Sequence, residues 1–360
     1  MQNIGSETSK GYVLVTGGAG YIGSHTVVEL INANYVPIVI DNLNNGYVEA
    51  LNRIEVITGF RVEFHKIDLM NEVALSQLFD IRPITMVIHF AGYKSVTESV
   101  SKPLSYYDNN ITGTLNLLKV MQAHNVKNIV FSSSANVYGN AETVPITEDL
   151  RHAATNPYGR TKMFVEAILK DQCISDAEWN CILLRYFNPV GAHPSGLIGE
   201  DPHDIPNNLV PYITQTAIGK REFLSVFGGD YETPDGTGIR DFIHVVDLAR
   251  GHIAALDHIS KNPGCVAYNL GTGRGYSVLE MVAAIGRAAG KDVPYKIVDR
   301  RPGDIGVSYA DPSKAQRELG WKAVYNQNDM CEHAWKWQSM NPNGYRDAIN
   351  NELYGAFRIH

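Results

Sequence analysis

A tyrosine and a lysine placed four residues apart, Tyr158 and Lys162, have the clearest chemical potential of any pair in this 360-residue sequence. Residues at this spacing share one face of a helix, and Pro157 before the tyrosine is typical of a first helical turn. Because an ammonium group stabilises a neighbouring phenolate, we expect the pKa of Tyr158 to be lowered from about 10 toward neutrality. The pair therefore predicts a general base or acid that acts on the hydroxyl of a sugar or an alcohol.

Three consecutive serines, Ser132–Ser134, lie upstream of this pair at the end of a predicted strand. A hydroxyl at this point can hold the same substrate oxygen as the tyrosine, so we assign Ser134 to the catalytic group with Tyr158 and Lys162. A turn or a cap is the alternative for the serines, and a surface pair is the alternative for Tyr158 and Lys162.

Gly17, Gly20 and Gly23 stand between a predicted strand, Tyr12–Thr16, and a predicted helix, Ile22–Ala33. Glycines at this spacing allow a tight turn and let backbone N–H groups approach a pyrophosphate at the helix N-terminus. A purely structural turn is the alternative, but strand, turn and helix follow the order of a dinucleotide-binding fold. The turn thus predicts a dinucleotide that receives a hydride, which favours the catalytic interpretation of the tyrosine and lysine.

Acidic residues end the next two predicted strands. Asp41 follows Val36–Ile40, where its carboxylate can bind ribose hydroxyls and would repel a 2′-phosphate, so NAD is preferred over NADP. Asp68 follows Val62–Ile67. It can bind the adenine amino group or cap a helix that begins at Leu69, and both interpretations stay open.

Short apolar runs alternate with amphipathic stretches through the first half of the chain, which is typical of βαβ units. Further predicted strands are Met86–Phe90, Asn128–Phe131 and Cys181–Leu184. The sequence therefore predicts an α/β fold with a doubly wound parallel sheet of the Rossmann type. Ligands are expected at the carboxyl ends of its strands.

Glycine and proline become frequent after residue 188, and we expect a smaller C-terminal α/β lobe there that binds the substrate. The predicted divisions are a disordered tail at 1–10, an NAD-binding domain at 11–188 and the substrate lobe at 189–360. Some later segments, such as Phe242–His258, are expected to return to the first domain.

Charge and composition exclude several functions. The chain has 31 basic and 38 acidic residues, a net charge of −7, which disfavours binding to nucleic acid or to a membrane surface. We expect no membrane span and no secretory signal. Four cysteines without a CxxC motif indicate a reducing compartment, so a cytoplasmic protein is predicted. His244, Asp247 and His252 are interpreted as packing residues, and no metal is predicted.

Longer motifs extend these patterns over most of the chain. From Tyr12 to about Tyr345 the sequence resembles the extended short-chain dehydrogenase/reductase family and, within it, the UDP-sugar 4-epimerases. The matching stretches are Val13–Ser24, Val87–Gly92, Lys102–Asn110, Phe131–Gly139, Asn156–Lys162, Leu184–Asn208, Gly236–His252 and Arg300–Asp304.

This resemblance implies reversible epimerisation at C4 of a UDP-hexose, UDP-glucose or UDP-galactose, through a 4-keto intermediate with tightly bound NAD. Tyr158, beside Ser134, would take the proton of the 4-hydroxyl while a hydride passes from C4 to NAD. Lys162 would lower the pKa of the phenol and bind the nicotinamide ribose. The keto sugar would then turn over and receive the hydride on its other face. A homodimer is also implied.

The resemblance carries binding roles onto matching positions, with the nucleotide sugar held mainly by the lobe at 189–360. Positions that match cofactor contacts are Gly17, Gly20, Tyr21, Ile22, Gly23, Asp41, Asn42, Asn45, Asp68, Leu69, Phe90, Ala91, Gly92, Lys94, Asn109, Ser132, Tyr158, Lys162 and Tyr186. Positions that match substrate contacts are Lys94, Ser134, Asn136, Tyr158, Phe187, Asn188, Asn207, Asn208, Leu209, Val226, Phe227, Arg240, Arg301, Asp304 and Ser308. The two arginines are natural partners for a diphosphate.

Three positions depart from the usual family pattern, and a fourth bears on the range of sugars that the pocket accepts. Thr97 replaces a glycine, Asn136 a threonine and Phe242 a common tyrosine, so we expect an altered rate or sugar preference. Ser308 matches a position where a bulky tyrosine restricts the hexose pocket in some members. The small serine predicts tolerance of UDP-GlcNAc and UDP-GalNAc.

Three alternatives share parts of this machinery. Epimerisation of UDP-xylose and UDP-arabinose needs the same residues and stays open. A sugar-nucleotide dehydratase needs an acid and a base after the hydroxyl residue, where this chain has Ala135 and Asn136, so it is disfavoured. A non-catalytic NAD-binding protein tends to lose the tyrosine or the lysine, and both Tyr158 and Lys162 are present.

Overall fold

The computed structural model describes residues 9–203, 206–301 and 303–346. Most of the predicted N-terminal tail and the end of the predicted substrate lobe lie outside the described residues. The strands of the described chain are β1 (Tyr12–Thr16), β2 (Val36–Ile40), β3 (Glu63–His65), β4 (Ile84–His89), β5 (Asn128–Ser134), β6 (Asn180–Tyr186), β7 (Asn188–Val190), β8 (Leu224–Phe227), β9 (Ile239–His244), β10 (Cys265–Leu270), β11 (Gly275–Ser277), β12 (Tyr295–Val298) and β13 (Val307–Ser308).

Most connections between these strands are helical. The helices are α1 (Tyr21–Asn32), α2 (Val48–Thr58), α3 (Glu72–Ile81), α4 (Val96–Ser101), α5 (Pro103–Tyr107), α6 (Gly113–Ala123), α7 (Pro157–Ser175), α8 (Leu209–Ala217), α9 (Val245–Ile259), α10 (Val278–Ala289), α11 (Ser313–Leu319) and α12 (Gln327–Met340). A π-helical turn at Asp108–Thr112 precedes α6, and a 3-10 turn at Ala135–Tyr138 follows β5.

The large sheet has the order β10-β6-β5-β4-β1-β2-β3, and every neighbouring pair in it is parallel. Strands β1 to β6 therefore reproduce the 3-2-1-4-5-6 order of a doubly wound dinucleotide fold, with β10 added beside β6. The predicted fold class is confirmed. The order reverses between β1 and β4, which is where a doubly wound sheet opens a crevice at its carboxyl edge.

Alternation along β1 explains why the sheet is covered on both faces. Val13 and Val15 belong to one core, which they share with α1, α2 and α9, whereas Leu14 belongs to a second core shared with α3, α6 and α7. Because successive strand side chains point to opposite faces, a strand with apolar residues at every position must be buried on both sides.

Four strands differ in their bounds from the predictions. Strand β4 covers Ile84–His89 instead of Met86–Phe90, and β6 covers Asn180–Tyr186 instead of Cys181–Leu184. Strand β3 covers only Glu63–His65, within the predicted Val62–Ile67, and it forms the outer edge of the sheet, where short strands are usual. Strand β5 runs through Ser134 instead of ending at Phe131, because the serines pair in register with Leu184 to Tyr186 of β6. The serines are thus strand residues, and Ser134 also caps the 3-10 turn that follows β5.

The second lobe is built around β9, which pairs with β7, β11 and β13. A short parallel pair, β8 and β12, and the helices α8, α10 and α12 complete its core. The chain also returns to the first domain, since α9 packs against α1 and β10 joins the large sheet. Among the described helices, none combines the length and the apolar character that crossing a membrane requires.

Candidate active site

A cleft of about 680 Å³ lies between the carboxyl edge of the large sheet and the loops of the second lobe. Its walls include the residues that follow β1, β2, β4, β5 and β6, together with Asn208, Arg240 and Arg301 from the second lobe. The reversal of strand order between β1 and β4 opens the cleft at the position that the fold predicts.

The glycine turn at one end of this cleft has the shape of a dinucleotide cradle. Gly17 has a left-handed backbone, φ +71°, and a Cβ atom there would lie 2.8 Å from the backbone nitrogen of Ala91. A Cβ on Gly23 would lie 2.3 Å from the carbonyl oxygen of Gly17. Helix α1 begins after Gly20 with no side-chain cap and no acidic residue in its first turn. Its free N–H groups and partial positive charge therefore fit a pyrophosphate.

Asp41 and Asp68 lie beside the turn at the edge of the sheet. The Asp41 carboxylate accepts hydrogen bonds from the backbone N–H groups of Ala19, at 3.1 Å, and Leu43, at 2.8 Å. Burial raises the pKa of Asp41 above its usual range, and these two hydrogen bonds oppose the shift. Asp68 accepts from the Asn42 side chain at 2.9 Å. Both carboxylates line the cleft, where ribose and adenine would lie.

The structure decides one of the two interpretations of Asp68. Helix α3 begins at Glu72, and its N-cap is Asn71, whose side chain accepts from the Ala74 N–H. Asp68 instead closes a turn by accepting from the Met70 N–H at 2.9 Å. The interpretation of Asp68 as a helix cap is wrong, because the helix begins later than predicted.

Tyr158 and Lys162 begin helix α7 and face the cleft. The Asn156 side chain caps the helix by accepting from the Gly159 N–H at 2.8 Å, and Pro157 occupies the first turn as predicted. Both side chains are buried, with 8% of Tyr158 and 7% of Lys162 exposed. The Lys162 ammonium donates to the carbonyl oxygen of Ser132 at 2.7 Å and lies 5.9 Å from the centre of the Tyr158 ring.

Burial dominates the proton affinities of this pair. It raises the pKa of Tyr158 above its usual value, and a hydrogen bond with the Ser134 side chain opposes the shift. Burial also lowers the pKa of Lys162 to about 8, against the attraction of the Glu166 carboxylate. The predicted lowering of the phenol pKa is therefore wrong for the protein chain alone, since desolvation outweighs the hydrogen bond with Ser134.

Ser134 is held by the first residues of the 3-10 turn. Its Oγ atom accepts from the Asn136 backbone N–H at 3.2 Å and from the Asn136 side-chain amide at 3.0 Å. A serine hydroxyl has two acceptor positions and one hydrogen. Because Asn136 fills both acceptor positions, the hydrogen of Ser134 is directed toward a third partner, and Tyr158 is that partner in this cleft.

Two buried charges that the sequence-based assignment missed fix helix α7 to the sheet. Glu166 accepts from the Arg185 guanidinium at 2.7 and 3.0 Å and from the Ser133 hydroxyl. These contacts join α7 to β5 and β6 one helical turn beyond Lys162. The four-residue spacing from Lys162 to Glu166 could have indicated that both side chains share one face of the helix. The ion pair itself left no signal in the sequence, because Arg185 lies on β6.

The second lobe supplies cationic and amide groups to the other end of the cleft. Arg240 donates to the backbone oxygens of Ile239 and Gly306, and within the described residues no carboxylate lies within 4 Å of its guanidinium. Arg301 pairs with Asp304 at 2.8 Å and lies 4.8 Å from the centre of the Phe227 ring. Two guanidinium groups with one carboxylate between them fit a diphosphate.

The cleft brings together every predicted cofactor residue and most predicted substrate residues. Ser308 lies on β13 opposite Arg240, and Thr97 and Asn136 also line the cleft. The predicted substrate residues that the structure leaves outside the cleft walls are Leu209, Val226 and Phe227. Val226 is buried in the core of the second lobe, Leu209 packs against that core, and Phe227 is 41% exposed beside Arg301.

The residues first interpreted as packing groups have internal partners. His252 bonds the carbonyl oxygen of Leu248, and Asp247 accepts from the backbone N–H groups of Val324 and Tyr325. His244 caps helix α9 by accepting from the Val246 N–H. Within the ranges that the structure describes, no group of three His, Cys, Asp or Glu residues has the arrangement of a metal site.

Comparison with known proteins agrees with this geometry. Residues 14–334 match the family model described as GDP-mannose 4,6 dehydratase. The chain is 68% identical to the UDP-glucose 4-epimerase of Dictyostelium discoideum, over 93% of this chain and 98% of the relative. It is 57% identical to the human UDP-glucose 4-epimerase, over 92% of this chain and 98% of the relative.

A solved structure gives the same result. The UDP-glucose 4-epimerase of Bifidobacterium longum, crystallised with NAD+ and UDP, superimposes with a TM-score of 0.90 at 55% identity. The superposition covers 92% of this chain and 99% of the other.

The doubly wound sheet, the glycine turn and the Tyr158–Lys162 pair define an enzyme of the extended short-chain dehydrogenase/reductase class. Within this class, the identity over nearly the full length is decisive. The chain belongs to the UDP-glucose 4-epimerase family.

Proposed function

We propose that this protein interconverts UDP-glucose and UDP-galactose by reversible epimerisation at C4, with NAD held tightly in the cleft. The observation that carries the proposal is the convergence of Tyr158, Ser134 and Lys162 beside the glycine turn. This convergence occurs in a chain that is 68% identical to a UDP-glucose 4-epimerase over almost its whole length.

The chain holds the dinucleotide chiefly with backbone groups. The N–H groups after Gly17 and at the start of α1 would bind the pyrophosphate, and Asp41 would accept the ribose hydroxyls. When bound, NAD would supply the acceptor and donor of a hydride for C4 of the sugar, and its positive charge would favour the phenolate form of Tyr158. A cofactor that ends each cycle in its starting state has no need to leave, so a deep cradle suits it.

The proton of the 4-hydroxyl is handled by Tyr158. Ser134 donates toward the tyrosine oxygen, and this hydrogen bond favours the phenolate that accepts the proton. Lys162, with a pKa of about 8, is mostly charged at neutral pH and stabilises negative charge in the same region. The raised pKa of the buried phenol makes its phenolate a stronger base toward the 4-hydroxyl.

The anchoring of the substrate follows from the charges of the second lobe. Arg240 and Arg301 would hold the diphosphate, so the UDP part stays fixed while the hexose turns. Asn188 and Asn208 offer neutral amides near the same end of the cleft. Weak contacts to the sugar and strong contacts to the diphosphate are what a substrate needs if it must present both faces to one cofactor.

Two rival activities are less well supported. A dehydratase needs a proton donor and an acceptor next to Ser134, and the cleft has Ala135 and Asn136 there. A pentose epimerase would need only the same residues, but the high-identity relatives are UDP-glucose 4-epimerases. Ser308 lines the hexose end without the bulk of a tyrosine, so we include UDP-GlcNAc and UDP-GalNAc in the proposed range.

We also propose a cytoplasmic homodimer. The four cysteines are all free thiols, as expected in a reducing compartment. Exposed apolar side chains on neighbouring helices support self-association: Leu104 on α5 is 81% exposed, Phe164 on α7 is 41% exposed, and Leu115 on α6 is 37% exposed. A Leu104→Glu variant should be monomeric by light scattering if this face forms the dimer.

The proposed activity is tested by incubating the purified protein with UDP-Glc, UDP-Gal, UDP-GlcNAc and UDP-Xyl without added NAD. Interconversion of UDP-Glc and UDP-Gal, together with NAD in the protein extracted after denaturation, is the expected result. Turnover of UDP-GlcNAc tests the role of Ser308 separately. A protein that converts only UDP-Xyl, or that converts none of these sugars, would contradict the proposal.

A further inference from the structure

Glu200 is a buried carboxylate in the wall of the cleft. Its side chain is 9% exposed, and one of its oxygens, Oε1, accepts two hydrogen bonds. The Lys94 ammonium donates to it at 3.0 Å and the Asn208 side-chain amide donates to it at 2.6 Å. The two donors come from opposite sides of the cleft, since Lys94 follows β4 of the large sheet and Asn208 is the N-cap of α8.

The backbone around Glu200 is fixed by aromatic residues of the C-terminal segment. The Trp337 indole donates to the carbonyl oxygen of Glu200 at 3.3 Å, and the Tyr345 hydroxyl contacts both backbone polar atoms of Gly199. A Cβ atom on Gly199 would lie 2.4 Å from the Trp337 ring, so the chain passes close against it. The carboxylate is therefore presented from a rigid support and not from a free loop.

We propose that Glu200 is a positioning residue that couples retention of NAD to binding of the nucleotide sugar, a role that rests on the proposed function. Its carboxylate holds the Lys94 ammonium, which comes from the loop after β4 of the large sheet, and the Asn208 amide, which comes from the start of α8 in the second lobe. Lys94 is 39% exposed at its side chain and would otherwise sample many rotamers. Holding it in place beforehand removes an ordering cost from ligand binding.

The two contacts of Glu200 can be separated by substitution. Glu200→Gln keeps an oxygen that accepts from Asn208 but loses the negative charge that attracts Lys94. Glu200→Ala loses both contacts. We therefore expect Glu200→Gln to release NAD more readily while its affinity for UDP stays within about twofold of the wild type. Glu200→Ala should bind NAD and UDP each about tenfold more weakly, because the loss of one hydrogen bond to a charged group has an effect of that size.

The experiment measures NAD per chain after gel filtration at increasing dilution, and the Kd for UDP by calorimetry, on the full-length holoprotein. Glu29→Gln is the matched control. Glu29 pairs with Arg250 at 3.3 Å, and the side-chain exposures of that pair, 13% and 45%, resemble those of Glu200 and Lys94. Glu29 lies in the C-terminal half of α1, away from the glycine turn. Glu29→Gln should therefore change neither the NAD content nor the Kd for UDP.

The outcomes separate this proposal from the proposed function. If the wild type retains NAD and epimerises UDP-galactose while both Glu200 variants match it in NAD retention and UDP affinity, the coupling role is wrong and the function stands. Tighter NAD binding by Glu200→Gln would also overturn it, since the carboxylate would then compete with the dinucleotide for Lys94. A wild type without NAD or activity would instead contradict the function itself.

Discussion

The two ends of the cleft are built in different ways. The core of the cofactor end, the glycine turn with Asp41, comes from one continuous stretch, β1 through Asp41, and it presents mainly backbone N–H groups and a buried carboxylate. The substrate end is assembled from Asn208, Arg240 and Arg301, which are far apart in the chain and present long side chains. Backbone cradles are rigid, whereas side chains such as Arg301, which is 54% exposed, are adjustable. The contrast matches a cofactor that stays and a substrate that exchanges.

The largest expected effect lies where the two ends meet, at Tyr158. Replacing Tyr158 with Phe removes the proton acceptor, so kcat should fall by about 10² to 10⁴. NAD content and UDP affinity should stay near the wild-type values, because only one hydroxyl is lost and the glycine turn and the two arginines are unchanged. Tyr268→Phe is the control: its hydroxyl bonds Glu318 at 2.8 Å, away from the cleft, and its loss should leave kcat unchanged. Comparable activity in the two variants would remove Tyr158 from the chemistry.

A methyl group added to the glycine turn should weaken NAD binding and leave UDP binding unchanged. In Gly23→Ala the new Cβ would lie 2.3 Å from the Gly17 oxygen, so the turn must shift, at a cost of about 1–3 kcal/mol. NAD per chain should fall while the Kd for UDP is unchanged. Gly286→Ala on α10, in which a Cβ would lie 3.0 Å from the carbonyl oxygen of Lys291, gives a milder crowding away from the cleft. Equal NAD loss in both would make the effect one of general stability.

The substrate end should respond to the two arginines unequally. Arg240→Lys removes a half-buried fork of donors that has no carboxylate within 4 Å among the described residues, and we expect a loss of about 1.5–3 kcal/mol in UDP binding. Arg301→Lys should cost less, about 0.5–1 kcal/mol, because Asp304 already engages this half-exposed side chain. Calorimetry with UDP measures both values, with NAD content unchanged in each variant. A larger effect at Arg301 would reverse the assignment of the principal diphosphate anchor.

The pH dependence of stability should report the buried Lys162. Its pKa is about 8 in the folded protein and about 10.4 in an unfolded chain. Between these values the unfolded chain binds the extra proton, so stability rises with pH by up to about 1.4 kcal/mol per unit. Urea unfolding of the NAD-free protein at several pH values, wild type minus Lys162→Met, isolates this slope. A flat difference between the two proteins would show that the ammonium is not desolvated.

The same contrast between the two ends explains what the sequence could predict. The cofactor end depends on neighbours in the chain, so the strand bounds of β1 and β2, the glycine turn and Asp41 follow from local spacing. The substrate end depends on contacts between distant segments, and its residues were assigned only by resemblance. Val226 shows the weakness of that route, because it is buried in the lobe core and does not line the cleft.

Two features could not be predicted because they depend on three-dimensional burial. The direction of the Tyr158 pKa shift was predicted from the spacing to Lys162, but desolvation reverses it. Glu166 and Glu200 were missed because their partners, Arg185 and Lys94 among them, lie on other elements. Charge pairs of this kind leave no periodic signal in a sequence, whereas helices and strands do.

The central claim is that a hydride leaves C4 for a tightly bound NAD and returns to the same carbon, while Tyr158 transfers the proton of the 4-hydroxyl. The most direct measurement uses UDP-galactose carrying deuterium at C4 and no added NAD, with the UDP-glucose product analysed by NMR. We predict that the deuterium stays at C4 of the product and that Tyr158→Phe forms almost none of it. Loss of the label to water would contradict this account.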